Sequence, residues 1–279
     1  MITLSPSVVT LVLSNIFKGV LCKGAAVIIW RLARSLLNAI FVTGIASLKC
    51  PFCVVVKDML AEISMYDWPE VWGENDAFWT SVRDGLRHEG IEAPDKLDRS
   101  VAYKESWDRS DLVLGQACGL PFIQDLIGKV SYIGALDLRL EGCPAGYYRS
   151  MIVVRASCAL GLDDLEGRSY AFNSHCSQSG FASMSKMGLT KGRGVETGGH
   201  RASVEAVAQG RADFAAIDAY SWSLAQAHVS EAQDLKVIGS TPPTPAPVYI
   251  ASLGADVEAY RRVLPDVVPL DPRLYESLL

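Results

Sequence analysis

The stretch richest in chemistry is Asn173-Ser174-His175-Cys176-Ser177-Gln178-Ser179-Gly180. Hydroxyls and an amide stand in a row there, between an apolar strand predicted over Ser169–Phe172 and a helix predicted from about Ser179. Side-chain donors, free backbone N–H groups and the positive end of a helix dipole together suit an oxyanion. A single Ser or Asn would also serve simply as the N-cap of that helix, and this plainer role stays open. Thr197-Gly198-Gly199-His200 follows the next predicted strand, again at a helix start. Its imidazole can donate to an anion in either protonation state, or act only as a cap or packing residue. Asp218 closes the strand predicted over Phe214–Ile217, as a ligand contact or as the N-cap of a helix from Ser221.

The same residue types allow two other chemistries. Ser177 or Ser179, His200 and Asp218 form a possible Ser-His-Asp set for nucleophilic catalysis, although the loop lacks the G-x-S-x-G spacing of a nucleophile elbow. Cys50-Pro51-Phe52-Cys53 is a C-x-x-C of the kind redox sites use, but no Thr-Val-Pro turn follows downstream. The chain has seven cysteines, so at least one stays unpaired within it, and no second ligand pair completes a zinc site. We therefore expect no metal and no cofactor.

These groups need a scaffold that brings strand ends together. From Ile63 onward, short apolar runs alternate with amphipathic segments. A helix is predicted over Glu74–Glu89, with Ala77, Phe78, Val82 and Leu86 on one face and Gly90 as its stop. Strands are predicted over Asp111–Leu114 and Val130–Ile133, and Tyr147–Arg155 is a long β-rich run that could cross between two lobes. Beyond it follow strands near Val195–Thr197, Phe214–Ile217 and Leu235–Ile238, with helices over Arg201–Gln209 and Ser221–Ala227 between them. This order predicts an α/β fold with a mostly parallel sheet, whose ligands gather at the carboxyl ends of strands. Four prolines between Pro242 and Pro247 predict a stiff linker, after which Val248–Ser252 resumes a strand, as if the chain returned to its first lobe.

Charge divides the chain of 279 residues unevenly. Residues 1–57 hold six basic groups and no acid, whereas the rest balances 20 basic against 31 acidic groups. The overall net charge of −5 does not suggest a nucleic-acid binder. The basic, apolar leader has the composition of a targeting segment, with Ser35–Ile45 as its apolar core and Gly44-Ile45-Ala46 as a small-x-small cleavage site. That reading places the protein in the periplasm. A true start near Met59 would make it cytoplasmic, and an uncleaved leader would make it a membrane-tethered sensor.

Five blocks add a resemblance: Met65–Glu70 (MYDWPE), Asp111–Pro121 (DLVLGQACGLP), Gly142–Arg155 (GCPAGYYRSMIVVR), the run Asp164–Gly180, and His200–Ala219 (HRASVEAVAQGRADFAAIDA). Their order and spacing resemble the phosphate/phosphite/phosphonate-binding component of bacterial ABC importers, from about Ile63 to the C-terminus. The resemblance implies a two-lobed type 2 periplasmic-binding-protein fold, each lobe a mostly parallel sheet flanked by helices, with hinge strands between lobes. It implies lobe 1 over residues 58–150 plus 245–279, lobe 2 over 151–244, and residues 1–57 as a leader. It also implies a small oxyanion ligand, ABC permease and ATPase subunits as partners, and no catalysis.

The resemblance implies that Ser177, Gln178 and Ser179 stand where the oxyanion-binding loop lies, and His200 where a phosphoryl-contacting histidine lies. Tyr66 lies in the first-strand loop of lobe 1, Gln116 to Cys118 in the facing loop, and Asp218 where an acid helps select the ligand's other end. Two departures stand out. Only fourteen residues separate Gly180 from Val195, which predicts a shortened second lobe. Gln178 replaces a smaller Ser or Thr, which either shrinks the anion pocket or adds an amide contact.

Overall fold

The computed structural model describes residues 59–102 and 104–279. The leader, its signal-like segment and Cys50–Cys53 lie outside the described residues. The first elements are β1 (Leu60–Ala61), α1 (Trp72–His88), β2 (Leu112–Ala117), the short α2 (Gly119–Pro121) and β3 (Val130–Leu136). Next come β4 (Tyr147–Tyr148), β5 (Ser150–Arg155), β6 (Tyr170–Phe172), the four-residue α3 (Ser183–Lys186) and β7 (Gly194–Glu196). The chain continues through α4 (His200–Ala208), β8 (Phe214–Asp218), α5 (Ala219–His228), β9 (Leu235–Ser240) and β10 (Thr244–Pro245). It ends with β11 (Val248–Ser252), α6 (Val257–Val263) and β12 (Val267–Val268).

Two five-stranded sheets result. The first has the order β1-β2-β11-β3-β12, and the second β7-β6-β8-β5-β9. In the first, β1 runs parallel to β2, while β11 lies antiparallel between β2 and β3. In the second, β6, β7 and β8 are parallel, and β5 is antiparallel to its neighbours β8 and β9. Strands covered on both faces run nearly continuously apolar, with few polar residues. Accordingly β2 (LVLGQA) and β8 (FAAID) are buried at every position.

Helix α1 shows how local sequence sets an element. Trp79, Val82 and Leu86 fall on one stripe and are buried. The helix stops where Gly90 takes a φ of +81°, which costs little without a Cβ, and Ile91 N–H then donates to the Leu86 carbonyl at 2.9 Å. Its apolar face joins Ile133, Leu136, Tyr249 and Tyr260 in the core of the first sheet. A separate core in the second lobe gathers Val153, Val204, Val207, Ala215 and Ile217.

Between the sheets the long β-rich run breaks at Arg149. Its first two residues, β4, pair antiparallel with β10, so the proline-rich segment is not a free linker but half of a two-stranded crossing. Ser150 and Thr241 lock the next step. Ser150 N–H donates to Thr241 Oγ1 at 3.0 Å, and Thr241 N–H donates to the Ser150 carbonyl at 2.9 Å. The lobes also touch across the gap. Leu224 of α5 is buried in the first sheet's core, and Trp68 packs against the second.

Candidate functional site

The oxyanion loop leaves β6 and enters a π-helical turn over Gln178–Ala182 that runs on into α3. Ser177 is indeed the N-cap, its Oγ accepting from Gly180 N–H at 3.0 Å. That bond uses the oxygen as acceptor and leaves the hydroxyl hydrogen free to donate elsewhere. Gly180 is required here, because a Cβ would stand 2.6 Å from Asn173 Oδ1 and 3.0 Å from Ser177 Oγ. Ser179 is held from behind, its carbonyl accepting from Ser150 Oγ at 3.0 Å and Ser183 Oγ at 2.7 Å. Gln178 is fully buried, and neither its Oε1 nor its Nε2 has a hydrogen-bond partner.

His200 and Asp218 reach this loop from the ends of the neighbouring strands. His200 Nε2 lies 2.8 Å from Ser179 Oγ and 3.2 Å from Asp218 Oδ2. Asp218 Oδ1 caps α5 by accepting from Tyr220 N–H at 3.1 Å and Ser221 N–H at 2.9 Å. A carboxylate can only accept, so Nε2 carries the proton that faces it. Burial depresses the His200 pKa below the usual imidazole value, against the opposing pull of Asp218 and the Ala216 carbonyl. A catalytic relay needs the serine and the acid on opposite ring nitrogens. Here both lie on Nε2, so the imidazole cannot carry the Ser179 proton away.

The first lobe supplies the facing wall. Tyr66 stacks edge-on against Tyr220, with ring centroids 4.8 Å apart, and its hydroxyl has no partner. Burial, then the charge of Asp218, raises its pKa well above the usual phenol value, so it stays a neutral donor. Gln116 Oε1 is likewise buried without a partner. Cys118 is buried and its Sγ accepts from Gln178 N–H at 3.4 Å, which joins the two lobes. Burial raises its pKa too, so it remains a thiol. Seven of the eight sequence-predicted residues thus meet between the lobes, Tyr66 and Cys118 on one side and Ser177, Gln178, Ser179, His200 and Asp218 on the other, while the contacts of Gln116 are with Glu62, Trp107 and Tyr249 of the first lobe.

Sequence reasoning missed Tyr148. It sits on the crossing strand β4, 1% exposed, beside Cys118 and Ser179, yet its hydroxyl makes no hydrogen bond of good geometry. It also missed Glu62, a buried carboxyl that accepts from Ser64 N–H at 2.7 Å, Ser106 Oγ at 3.1 Å and Gln116 N–H at 3.2 Å. Glu62 thereby ties together the loops that carry Tyr66 and Gln116. A lone acid within the apolar run Met59–Ile63 was the available signal.

Across the mouth of the cleft, Arg201 donates to both carboxylate oxygens of Glu70, at 2.9 and 3.0 Å, and lies 5.4 Å from the Trp68 ring. Lys104 Nζ contacts Cys176 Sγ at 3.0 Å, and Lys186 donates to the Ser277 carbonyl. Among the described residues, no group of three or more His, Cys, Asp or Glu is placed to hold a metal.

Two sheets joined by a crossing define the two-lobed fold of the type 2 periplasmic-binding-protein kind. Residues 137–266, a little under half of the chain, match the family described as ABC transporter, phosphonate, periplasmic substrate-binding protein. PhnD1 from Prochlorococcus marinus, solved with methylphosphonate, is 16% identical with a TM-score of 0.60, over 80% of this chain and 96% of that one. XAC2383 from Xanthomonas citri, solved with a chloride ion, is 17% identical with a TM-score of 0.57, over 79% and 95%. A binding-protein component of an ABC phosphonate transporter from Pseudomonas aeruginosa is 14% identical with a TM-score of 0.55, over 73% and 72%. At these identities the likeness is one of fold. No curated protein matches the sequence.

Proposed function

We propose that the chain captures a small phosphorus oxyanion, a phosphonate, phosphite or phosphate, between its lobes and delivers it to the permease and ATPase subunits of an importer. The observation that carries this reading is the convergence of unpartnered polar atoms from both lobes: Tyr66 Oη, Gln116 Oε1, Tyr148 Oη, and Oε1 and Nε2 of Gln178. Leaving a buried polar group unpaired costs about 1–3 kcal/mol, so such a cluster calls for a polar ligand. The two phenols, the Gln178 amide and the hydroxyls of Ser177 and Ser179 supply donors. Gln116 Oε1 is an acceptor, suited to the P–OH of a singly charged ligand. Tyr66, Gln116, Cys118, Ser177, Gln178, Ser179, His200 and Asp218 form the site, and Tyr148 joins them.

Residues 58–150 plus 245–279 form one lobe and 151–244 the other, closing about the β4–β10 crossing. Affinity comes from charge-assisted hydrogen bonds in a site that excludes water. The leader directs the chain to the periplasm. Calorimetric titration of the ligand-stripped full-length protein with methylphosphonate, phosphite, phosphate and sulfate tests the reading. One-to-one binding of a phosphorus oxyanion is expected, and a folded protein that binds none of the three would overturn it.

A further inference from the structure

Among the described residues only two carboxylates are buried, Glu62 and Asp218. Both are engaged within the protein. Glu62 Oε2 takes Ser64 N–H, and its Oε1 takes Ser106 Oγ and Gln116 N–H. Asp218 Oδ1 takes two backbone N–H groups of α5, and its Oδ2 faces His200 Nε2. Asp266 and Glu74 also act on Tyr220 electrostatically, but Asp266 holds the Tyr249 hydroxyl at 3.0 and 3.2 Å and Glu74 is exposed to water on the first turn of α1. The remaining cleft groups, Tyr66, Tyr148, Gln116, Gln178 and Cys118, are neutral.

From this geometry we infer that the site selects a phosphorus oxyanion whose remaining substituent is small and uncharged, and rejects one that carries an ammonium group. The inference rests on the oxyanion reading above and deepens it. An ammonium buried in the cleft would need a carboxylate partner, and the one within reach, Asp218, is held by His200 and the start of α5. Asp218 and His200 instead act behind the oxyanion loop as positioning residues. Asp218 fixes the imidazole with its proton on Nε2, that N–H reaches Ser179 Oγ as well, and the Ser179 hydrogen is thereby left to point at the ligand. Charge on the ligand's far end finds no counterpart, while an uncharged methyl or hydrogen meets tyrosine rings and a thiol.

The test is a pair of isosteres, ethylphosphonate and aminomethylphosphonate, titrated against the full-length protein with methylphosphonate as the smallest reference. Ethylphosphonate is expected to bind at least about 10-fold more tightly than aminomethylphosphonate, the scale set by burying an unpaired polar group. Binding of methylphosphonate alone would also support the inference, since it confines the substituent to one uncharged carbon. Asp218→Asn keeps the side-chain oxygen that caps α5 and is expected to weaken methylphosphonate and aminomethylphosphonate by the same factor. His200→Gln should do likewise, as a second variant that leaves the cap untouched. Equal or tighter binding of aminomethylphosphonate, or its selective loss in Asp218→Asn, would overturn the inference while the oxyanion reading stands. Failure of all three phosphonates to bind, and of phosphite and phosphate with them, would overturn both.

Discussion

Replacing Tyr66 by Phe removes one oxygen from the cleft and leaves the ring, with its edge-on contact to Tyr220, in place. The hydroxyl has no hydrogen-bond partner within the protein, so its loss breaks no hydrogen bond there. A buried hydroxyl without a partner costs about 1–3 kcal/mol, so stability without ligand should stay the same or rise by part of that amount. For a protein of this size a change of 1 kcal/mol moves Tm by about 2–4 °C, upward here. Ligand binding should change in the opposite sense. A neutral donor to a charged acceptor contributes about 1.5–3 kcal/mol, which corresponds to a Kd weakened by roughly 10- to 150-fold. The assays are calorimetric titration with the tightest phosphorus oxyanion and thermal unfolding of the ligand-free protein. An affinity unchanged within about twofold would show that Tyr66 does not face the ligand. A Tm lowered by several degrees would show that its hydroxyl has a structural partner.

Other outcomes follow from contacts away from that hydroxyl. Burial works to raise the Cys176 pKa, but the Lys104 ammonium and the Ser174 hydroxyl hold it below the ordinary thiol value. Iodoacetamide at pH 7.5 should therefore alkylate Cys176 before Cys118 or Cys143, whose thiols burial raises, and Lys104→Met should slow that reaction, as followed by peptide mass mapping. An alanine at Gly192 would set its Cβ 1.9 Å from the Arg168 carbonyl oxygen. Backbone cannot yield as a side-chain end can, so Gly192→Ala should cost about 1–3 kcal/mol or more, measured by denaturant unfolding. The Ser169 hydroxyl and N–H, with Arg155, hold Asp213 below the usual carboxylate pKa. The unfolded chain then takes up the proton first, so this stabilisation is complete above the unfolded pKa of about 3.9 and is lost as pH falls through the folded value. Ser169→Ala should accordingly lower Tm clearly at pH 6 and by less near pH 3.

Periodicity made much of this architecture legible in the sequence. The stripe of Val82 and Leu86, and the glycine after it, anticipated α1 to within two residues at its start and one at its end. The polar loop after Ser169–Phe172 was legible because strand ends in a parallel sheet are where ligands collect. The break at Arg149 was not legible, since Tyr147–Arg155 is uniformly β-prone, and a two-residue pairing with Thr244–Pro245 leaves no local mark. Tyr148 was hidden for the same reason. The short run after Gly180 does correspond to a small element, the four residues of α3. Residue types made His200 and Asp218 candidates, but only distance shows that each faces the other. The contact between Lys104 and Cys176 joins positions 72 apart in the chain and leaves no trace in either neighbourhood.

The place of β11 at the centre of the first sheet governs the order in which the chain can be completed during synthesis. Every strand of the second sheet lies between Ser150 and Ser240, so that sheet has all its parts once those residues have emerged. The first sheet begins earlier and finishes later. β2 and β3 do not touch each other, and each waits for Val248–Ser252 to slot between them. While more than a hundred intervening residues are made, two apolar strands stand with open edges, the condition under which nascent chains aggregate or recruit chaperones. The sheet that is begun first is thus the one completed last, since it waits for Val248–Ser252 to emerge from the ribosome.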